Sequence, residues 1–457
     1  MDAKLPEISV AEHLVARIAT LDAARLPAAV RAKCEELLID VVGLCLTARN
    51  EDYVLASING WDDDGPCTAI GHKRMLSAAG AAFVNGTACH GEDFDDTFEG
   101  GPIHAGAVIV PAVLNALERH GGDGKAALLG IAVGVETMCR LSTVAPTKAH
   151  KAGFHPTAVY GAAGAAAGVA TALRLNSRQI VDALGIVGSM ASGIIEYLAE
   201  GTWTKRMHAG WAAQSGIRAA LLARAGFSGP RTVFEGVHGL FHGFANTLDG
   251  NFDALLGGFG TQWVTETLAF KPYPCGTMTH PYIDCARRLA AKGIKADDIK
   301  EMVCEVGEGT VHRLWEPLAA KQTPKNGYAG KFSTPYCIAA GFIRGNVGLS
   351  DFSDAAVKEP AVVALANKVR YQIDPNNPYP KNFTGHIRVT MKDGSVVEER
   401  QPYMRGGAHE PLSRRDIEDK FMLNARHGGY DESRAAAALK VASHLLGGRI
   451  DLSALRG

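Results

Sequence analysis

The chain is 457 residues long, with 47% hydrophobic and 21% charged residues and a formal net charge of −1. That length supports about two or three domains and a substantial core, and the composition is that of a soluble globular protein. Near-neutrality excludes global steering toward nucleic acid or an anionic membrane, so selectivity for a charged ligand must come from a local site. Nine cysteines (Cys34, Cys45, Cys67, Cys89, Cys139, Cys275, Cys285, Cys304, Cys337) are scattered with no C-x-x-C pair. With no secretory leader, they are expected as reduced thiols in a cytoplasmic protein.

The first 265 residues or so read as helical. MDAKLPEISVAEHLVARI is a capped amphipathic helix, and Val30 to Ala48 places apolar residues at helical spacing with charges opposite. MLSAAGAAFVNGTACHG gives a small-residue helix expected to end near Asn85-Gly86. GAVIVPAVLNALERHGG stops at Gly121-Gly122, and Gly124 to Val144 is another apolar helix. Pro156 to Leu173 has no charge over eighteen residues, near the lower limit for a membrane span. It is mostly Ala and Gly, which carry little transfer free energy, so a buried helix is expected. Gly161, Gly164 and Gly168 in the same run lack the preceding strand that a dinucleotide-binding turn requires.

Asn176 or Ser177 caps SRQIVDALGIVGSMASGIIEYL, and HAGWAAQSGIRAALLARAGFSG again finishes in Gly. No alternating strand is evident in this region. From about residue 268 the texture changes. KEMVCEVG and KVRYQI concentrate β-branched residues, and HIRVTMKDGSVVEER is a hairpin turning through Asp393-Gly394. After Met404 helices return, with Ser413 as a cap. The expected fold is mainly α: a large all-helical domain from 1–267 and 405–457, and a smaller α+β domain from 268–404.

The titratable groups fall into blocks. HGEDFDDTFEGGPIHAG carries His90, Asp93, Asp95, Asp96, Thr97 and His104; GFHPT carries His155; TWTKRMHAG carries Lys205, Arg206 and His208 just before a small-residue helix. FKPYPCGTMTHP carries Lys271, Tyr273 and His280, and KFSTPY carries Lys331, Ser333 and Tyr336. Individually each has an ordinary explanation: turn-forming carboxylates, a capping histidine, surface charge, a packed tyrosine. Together, each borders an apolar or Gly/Ala-rich run that reads as buried. DDTFE (Asp95 to Glu99) matches the loose D-D-x-x-E pattern of Mg²⁺-diphosphate enzymes, but that chemistry wants a second acidic motif on a facing helix, and NTLDGNFDALL (Asn246 to Leu256) is a poor candidate for it. Nor is there an H-E-x-x-H zinc pattern. Proton abstraction beside a carboxylate fits better: imidazoles titrate near neutrality, and lysines hold carboxylates and stabilise enolate-like charge.

NGTACHGEDFDDT (Asn85 to Thr97) resembles the signature of the MmgE/PrpD family. GFHPT, K-R-x-H-x-G at Lys205 to Gly210, K-x-Y-P…H from Lys271 to His280, and KFSTPYCIA from Lys331 to Ala339 follow in the family's order. The resemblance covers essentially the whole chain. It implies a large helical domain with a smaller α+β lid, a homodimer without metal or organic cofactor, and an active site in the cleft between domains. It puts Asp93, Thr97, His104, His155, Lys205, Lys271, His280 and Tyr336 around the substrate. The roles expected here are catalytic for Asp93, His104, His155, Lys205 and Tyr336, and substrate-binding for Thr97, His208, Lys271, His280 and Lys331. The second histidine stands in HAG, where many members read H-P-G or H-P-S.

The activity expected from this is a metal-independent lyase or isomerase acting on a small di- or tricarboxylate, with no nucleic-acid or membrane partner. A hydro-lyase of the 2-methylcitrate dehydratase type leads, and cis-aconitate decarboxylase-like or iminodisuccinate epimerase-like activity is the alternative. A Mg²⁺-dependent diphosphate enzyme and a non-catalytic binding protein stand further off.

Overall fold

The computed structural model describes residues 6–101 and 103–457, and the chain is mainly α. The first five residues of the expected N-terminal helix, and Pro102 in the acidic loop, lie outside the described residues. Two compact units emerge. One comprises the described residues up to Gly91, Asp95–Leu268 and Ser413–Gly457; the other comprises Glu92–Phe94 and Ala269–Leu412. The residues from 405 to 412 therefore group with the second unit, although the helical texture after Met404 suggested the first. The physical reason is local pairing: Phe270 N–H donates to Gly406 O at 3.0 Å and Gln401 Nε2 to Glu410 at 2.7 Å.

In the first unit, helices begin where the sequence supplies caps. Ser9 and Glu12 form a reciprocal capping box before Val10–Ile18, as do Asn176 and Gln179 before Ser177–Gly188, and Ser413 and Asp416 before Arg414–His427. The core is built by Gly/Ala-lined helices that approach closely: Ala78–Gly91, Gly124–Val144, Pro156–Ala172 and Thr204–Arg224. A Cβ on Gly168 would stand 2.6 Å from Gly130 O, and one on Gly210 only 2.1 Å from Phe83 O. The uncharged run after His155 is a buried helix, as its composition implied. Gly124–Val144 is long and apolar enough to cross a membrane, but 89% of its apolar window is buried inside the protein. It also carries the Glu136–Arg140 pair at 2.6 Å.

Several expectations need correction. The Ala78–Gly91 helix runs past Asn85-Gly86. Asn85 does not stop it, because its amide bonds sideways to Ile70 N, Thr68 O and Asn115, while Gly86 packs on the Gly210 backbone. Ser177–Gly188 ends ten residues before the expected Leu198, with Ser189 as its C-cap. Lys205, Arg206 and His208 lie inside the first turns of Thr204–Arg224, not ahead of it. A short hairpin, Asp64–Thr68 with Met75–Leu76, also sits in the region read as strand-free; five and two residues are too few to show an alternating pattern.

The second unit centres on a four-stranded sheet. Ile299–Val306 pairs in parallel with Val369–Ile373 on one side and antiparallel with Gly385–Met391 on the other, which pairs with Val396–Gln401. The hairpin turns where Asp393-Gly394 predicted, with Gly394 at φ 88°. The core holds Trp315, Tyr282, Ile283, Met302 and Ile387. All nine cysteines are unpaired and buried.

Candidate active site

Four histidines from three stretches of the first unit meet inside it. His90 ends the Ala78–Gly91 helix, His104 precedes Gly106–His120, His155 is the N-cap of Pro156–Ala172, and His208 lies in Thr204–Arg224. The His90 ring centre is 4.9 Å from that of His104 and 5.6 Å from that of His155, and the His155 and His208 rings are 5.3 Å apart. Backbone geometry sets the positions. His155 N–H donates to Gly193 O at 2.8 Å, and Pro156 supplies the fixed φ of the first helical residue.

Asp95 and Asp96 are fully buried and organise the cluster. Asp95 Oδ2 lies 2.6 Å from His90 Nδ1, and its Oδ1 lies 3.5 Å from His104 Nδ1. Asp96 accepts Ala105 N–H at 3.0 Å and Gly106 N–H at 2.8 Å, fastening the start of the Gly106–His120 helix. Its carbonyl accepts from His104 Nδ1 at 2.7 Å. A carbonyl only accepts, so the His104 proton is assigned to Nδ1 and the lone pair to Nε2. The His104 side chain retains 13% exposure, against none for His90 and Asp95. His104 is thus the most exposed of the three.

Burial decides the charge state of the rest. Desolvation first, then the unfavourable company of the neighbouring His90, His208 and Lys205, hold His155 well below the ordinary imidazole range. Desolvation, then His90 and Lys205, bring His208 down to about 4. Desolvation, reinforced by Asp95 and Asp40, pushes the Asp96 carboxyl up to about 8 against the pull of the two N–H donors. Lys205, one turn before His208, is itself buried.

One ligand atom each from His90, Asp95 and His104 falls within 4.8 Å of the others. The His90–Asp95 separation of 2.6 Å is hydrogen-bond length, shorter than the roughly 3.3 Å between neighbouring ligands held ~2.0 Å from a tetrahedral zinc. The geometry is that of a shared proton. For the D-D-x-x-E reading, both oxygens of Asp96 already accept backbone N–H groups and Asp95 is bonded to His90, so the two carboxylates do not present a common outward face for a hydrated Mg²⁺.

The remaining residues named from the sequence are placed as follows. Thr97 is buried in the first unit, in the short strand Thr97–Phe98. Asp93 belongs to the second unit and adopts a left-handed backbone at φ 55°, and its carbonyl accepts from Lys271 Nζ at 2.9 Å. Lys331 Nζ, also in the second unit, lies 2.6 Å from the Glu92 carboxylate. His280 Nε2 is 3.2 Å from Cys275 O, and its ring meets Tyr273 edge-on at 5.4 Å. Tyr336 is fully buried, donates its hydroxyl to Asp351 O, and is pushed above the usual phenol range by burial. Four histidines of the first unit come together around His90, which the sequence placed in the first titratable block without giving it a role.

The family model for the MmgE/PrpD N-terminal domain matches residues 12–252, and that for the MmgE/PrpD C-terminal domain matches residues 273–445. The chain is 30% identical over 434 residues to cis-aconitate decarboxylase of Homo sapiens, covering 91% of this chain and 88% of that one. It is 27% identical over 450 residues to cis-aconitate decarboxylase of Aspergillus terreus, covering 92% and 89%. A 2-methylcitrate dehydratase-like protein of Aspergillus oryzae matches at 22% over 182 residues, 36% of this chain and 35% of that one. With both family domains matched in order along one polypeptide, the chain belongs to the MmgE/PrpD family and is an enzyme of its lyase or epimerase type.

Proposed function

We propose that the protein decarboxylates cis-aconitate or a closely similar unsaturated tricarboxylate, with His104 as the acid–base residue. The observation that carries this is the buried imidazole cluster, in which one ring, His104, is both oriented by a carbonyl and accessible. The full-length likeness to cis-aconitate decarboxylases supports this choice over the dehydratase that led on sequence alone, since the dehydratase-like relative matches about a third of the chain.

The chemistry asks for one proton. The bond between the departing carboxylate and its neighbouring carbon breaks, and its electron pair moves into the adjacent C=C system. CO₂ leaves, and a proton is delivered to the resulting carbanion. A polyanionic substrate beside His104 draws a proton onto Nε2, and that proton is the one transferred. Lys205 supplies positive charge to offset the substrate's carboxylates. His155 and His208, held neutral, add hydrogen-bonding capacity without competing for that charge. In this reading the protein works as a homodimer in the cytoplasm, without metal or organic cofactor.

The test is incubation with cis-aconitate and, separately, 2-methylcitrate in D₂O, followed by NMR. Loss of CO₂ from cis-aconitate with one solvent deuteron in the product supports the reading. Loss of water from 2-methylcitrate with no reaction of cis-aconitate replaces it with the dehydratase. His104→Ala should abolish turnover while leaving the melting temperature within a few degrees.

A further inference from the structure

Three helices of the first unit that begin at the histidine cluster also end together. Gly106–His120 starts just after His104, Pro156–Ala172 starts at His155, and Thr204–Arg224 carries Lys205 and His208 in its first turns. At about 1.5 Å per residue, their far ends stand roughly 22–26 Å from the cluster. There they wall a cavity of about 490 Å³, a volume within the range of small-molecule sites. Arg174, Arg224 and Arg449 line it, together with His120 and Asp123. Arg449 arrives from the C-terminal segment, which is pinned to the turn before Gly124–Val144. Gly124 N–H donates to Gly448 O at 2.7 Å, and Ile450 N–H to Gly122 O at 3.0 Å.

Cations at helix C-termini ordinarily answer the partial negative charge of the free carbonyls. These arginines make no such bonds. Arg224 Nη2 donates to His120 Nδ1 on the neighbouring helix at 3.3 Å. The guanidiniums of Arg174 and Arg449 have no hydrogen-bond or ion-pair partner among the described residues. Asp123, the one carboxylate in the lining among those residues, already accepts Ala126 N–H at 2.9 Å, and Asp451 meets Arg449 at longer range. Arg174 also holds a left-handed backbone, φ 56°, just past the end of Pro156–Ala172, where glycine would be the unstrained residue. Three guanidiniums on one concave surface repel one another. A small polyanion relieves that repulsion, because each planar fork can take two of its oxygens.

We propose that this cavity is a second binding site, separate from the histidine cluster, for a small polyanion bearing several phosphate or carboxylate groups. Arg174, Arg224 and Arg449 hold its oxygens, and His120 reports its presence. Desolvation, then Arg224 and Arg119, hold the His120 imidazole below the ordinary range, so an anion that offsets those cations raises it.

The experiment is calorimetric titration of the full-length protein, at about physiological salt, with tripolyphosphate and separately with tricarballylate. Wild type is compared with Arg174→Gly and Arg449→Gln, and the His120 ring is titrated by ¹⁵N NMR with and without each probe. At least one probe should bind, with affinity about tenfold weaker in each variant, the scale of one charge-assisted bond. The His120 midpoint should rise with that probe present. Binding of tripolyphosphate alone assigns a phosphate ligand, and binding of tricarballylate alone a carboxylate one. Arg174→Gly removes the backbone strain, so it should melt no lower than wild type while binding less, a combination that a purely structural arginine does not give. Should that variant fail to fold, Arg449→Gln carries the same test. The proposal is overturned if neither probe binds, if affinity is unchanged in the arginine variants, or if His120 does not move. Tricarballylate held only at the histidine cluster would leave both of the last two readouts unchanged. No arm requires turnover, so the outcome is independent of the decarboxylase reading.

Discussion

The Nδ1 atoms of His155 and His208 face each other at 3.1 Å, both rings buried. Only one of the two can donate, so the pair shares one proton, with each ring's remaining nitrogen in the complementary state. Two imidazolium ions at this distance would repel strongly, in keeping with both rings being held low.

This pair makes the fold acid-sensitive. In the unfolded chain a histidine takes a proton below about 6.5, whereas folded His208 does so only near 4. Its contribution is fully present above 6.5 and is lost as pH falls toward 4, amounting to about 3 kcal/mol at most. Denaturant midpoints measured across that window should fall with acidity, and His208→Gln should flatten the slope.

Asp96 acts in the opposite sense. Folded, it keeps its proton up to about 8, whereas the unfolded carboxyl loses it near 3.8. The folded state binds the extra proton between those values, so this group makes stability decline as pH rises through them. Thermal melts over the same range should show a decline in wild type that Asp96→Asn lessens. The variant's overall stability should drop, because one N–H of Ala105 or Gly106 loses its acceptor.

Gly106→Ala tests the link between that carboxylate and His104. A Cβ at 106 would lie 2.4 Å from Asp96 Oδ1, displacing the aspartate whose carbonyl holds the His104 ring. A folded variant with kcat reduced about a hundredfold is expected, the scale of roughly ångström-level misplacement. An unchanged kcat would detach His104 from this anchor.

Lys420 and Asp40 form a buried ion pair at 2.7 Å that fastens Arg414–His427 to Ala28–Ala48. Lys420→Met leaves the carboxylate buried without its cation and should cost about 3–5 kcal/mol. Asp40→Leu combined with Lys420→Met should recover most of that loss. Equilibrium unfolding of the single and double variants measures both effects.

Gly210→Ala should be among the most damaging small substitutions, since its Cβ would meet Phe83 O at 2.1 Å where two helices touch. A loss of about 3 kcal/mol, read from urea unfolding, is expected. Gly243→Ala, with open space around the position, should be nearly neutral by comparison.

Much of this was legible in the residues. Caps at Ser9, Asn176 and Ser413, and the Asp393-Gly394 turn, act through neighbours a few positions away, so sequence pattern locates them. Positions that depend on distant partners were not legible. Asn85 reads as a helix stop until Thr68 and Asn115 occupy its amide, and the stretch 405–412 reads as helical until Phe270 and Gln401 claim it.

The sequence by itself determined a mainly α protein with a later α+β segment, and grouped its titratable residues into blocks of one family's order. It could not rank those blocks, because distance along a chain says nothing about which imidazoles meet. Tertiary structure decided that His90 and Asp95 lie at the heart of the histidine cluster, that Asp96 fastens a helix start, and that Tyr336 gives its hydroxyl to a backbone carbonyl. Proton affinity is set by desolvation and by charges a few ångströms away, and both exist only once the chain has folded.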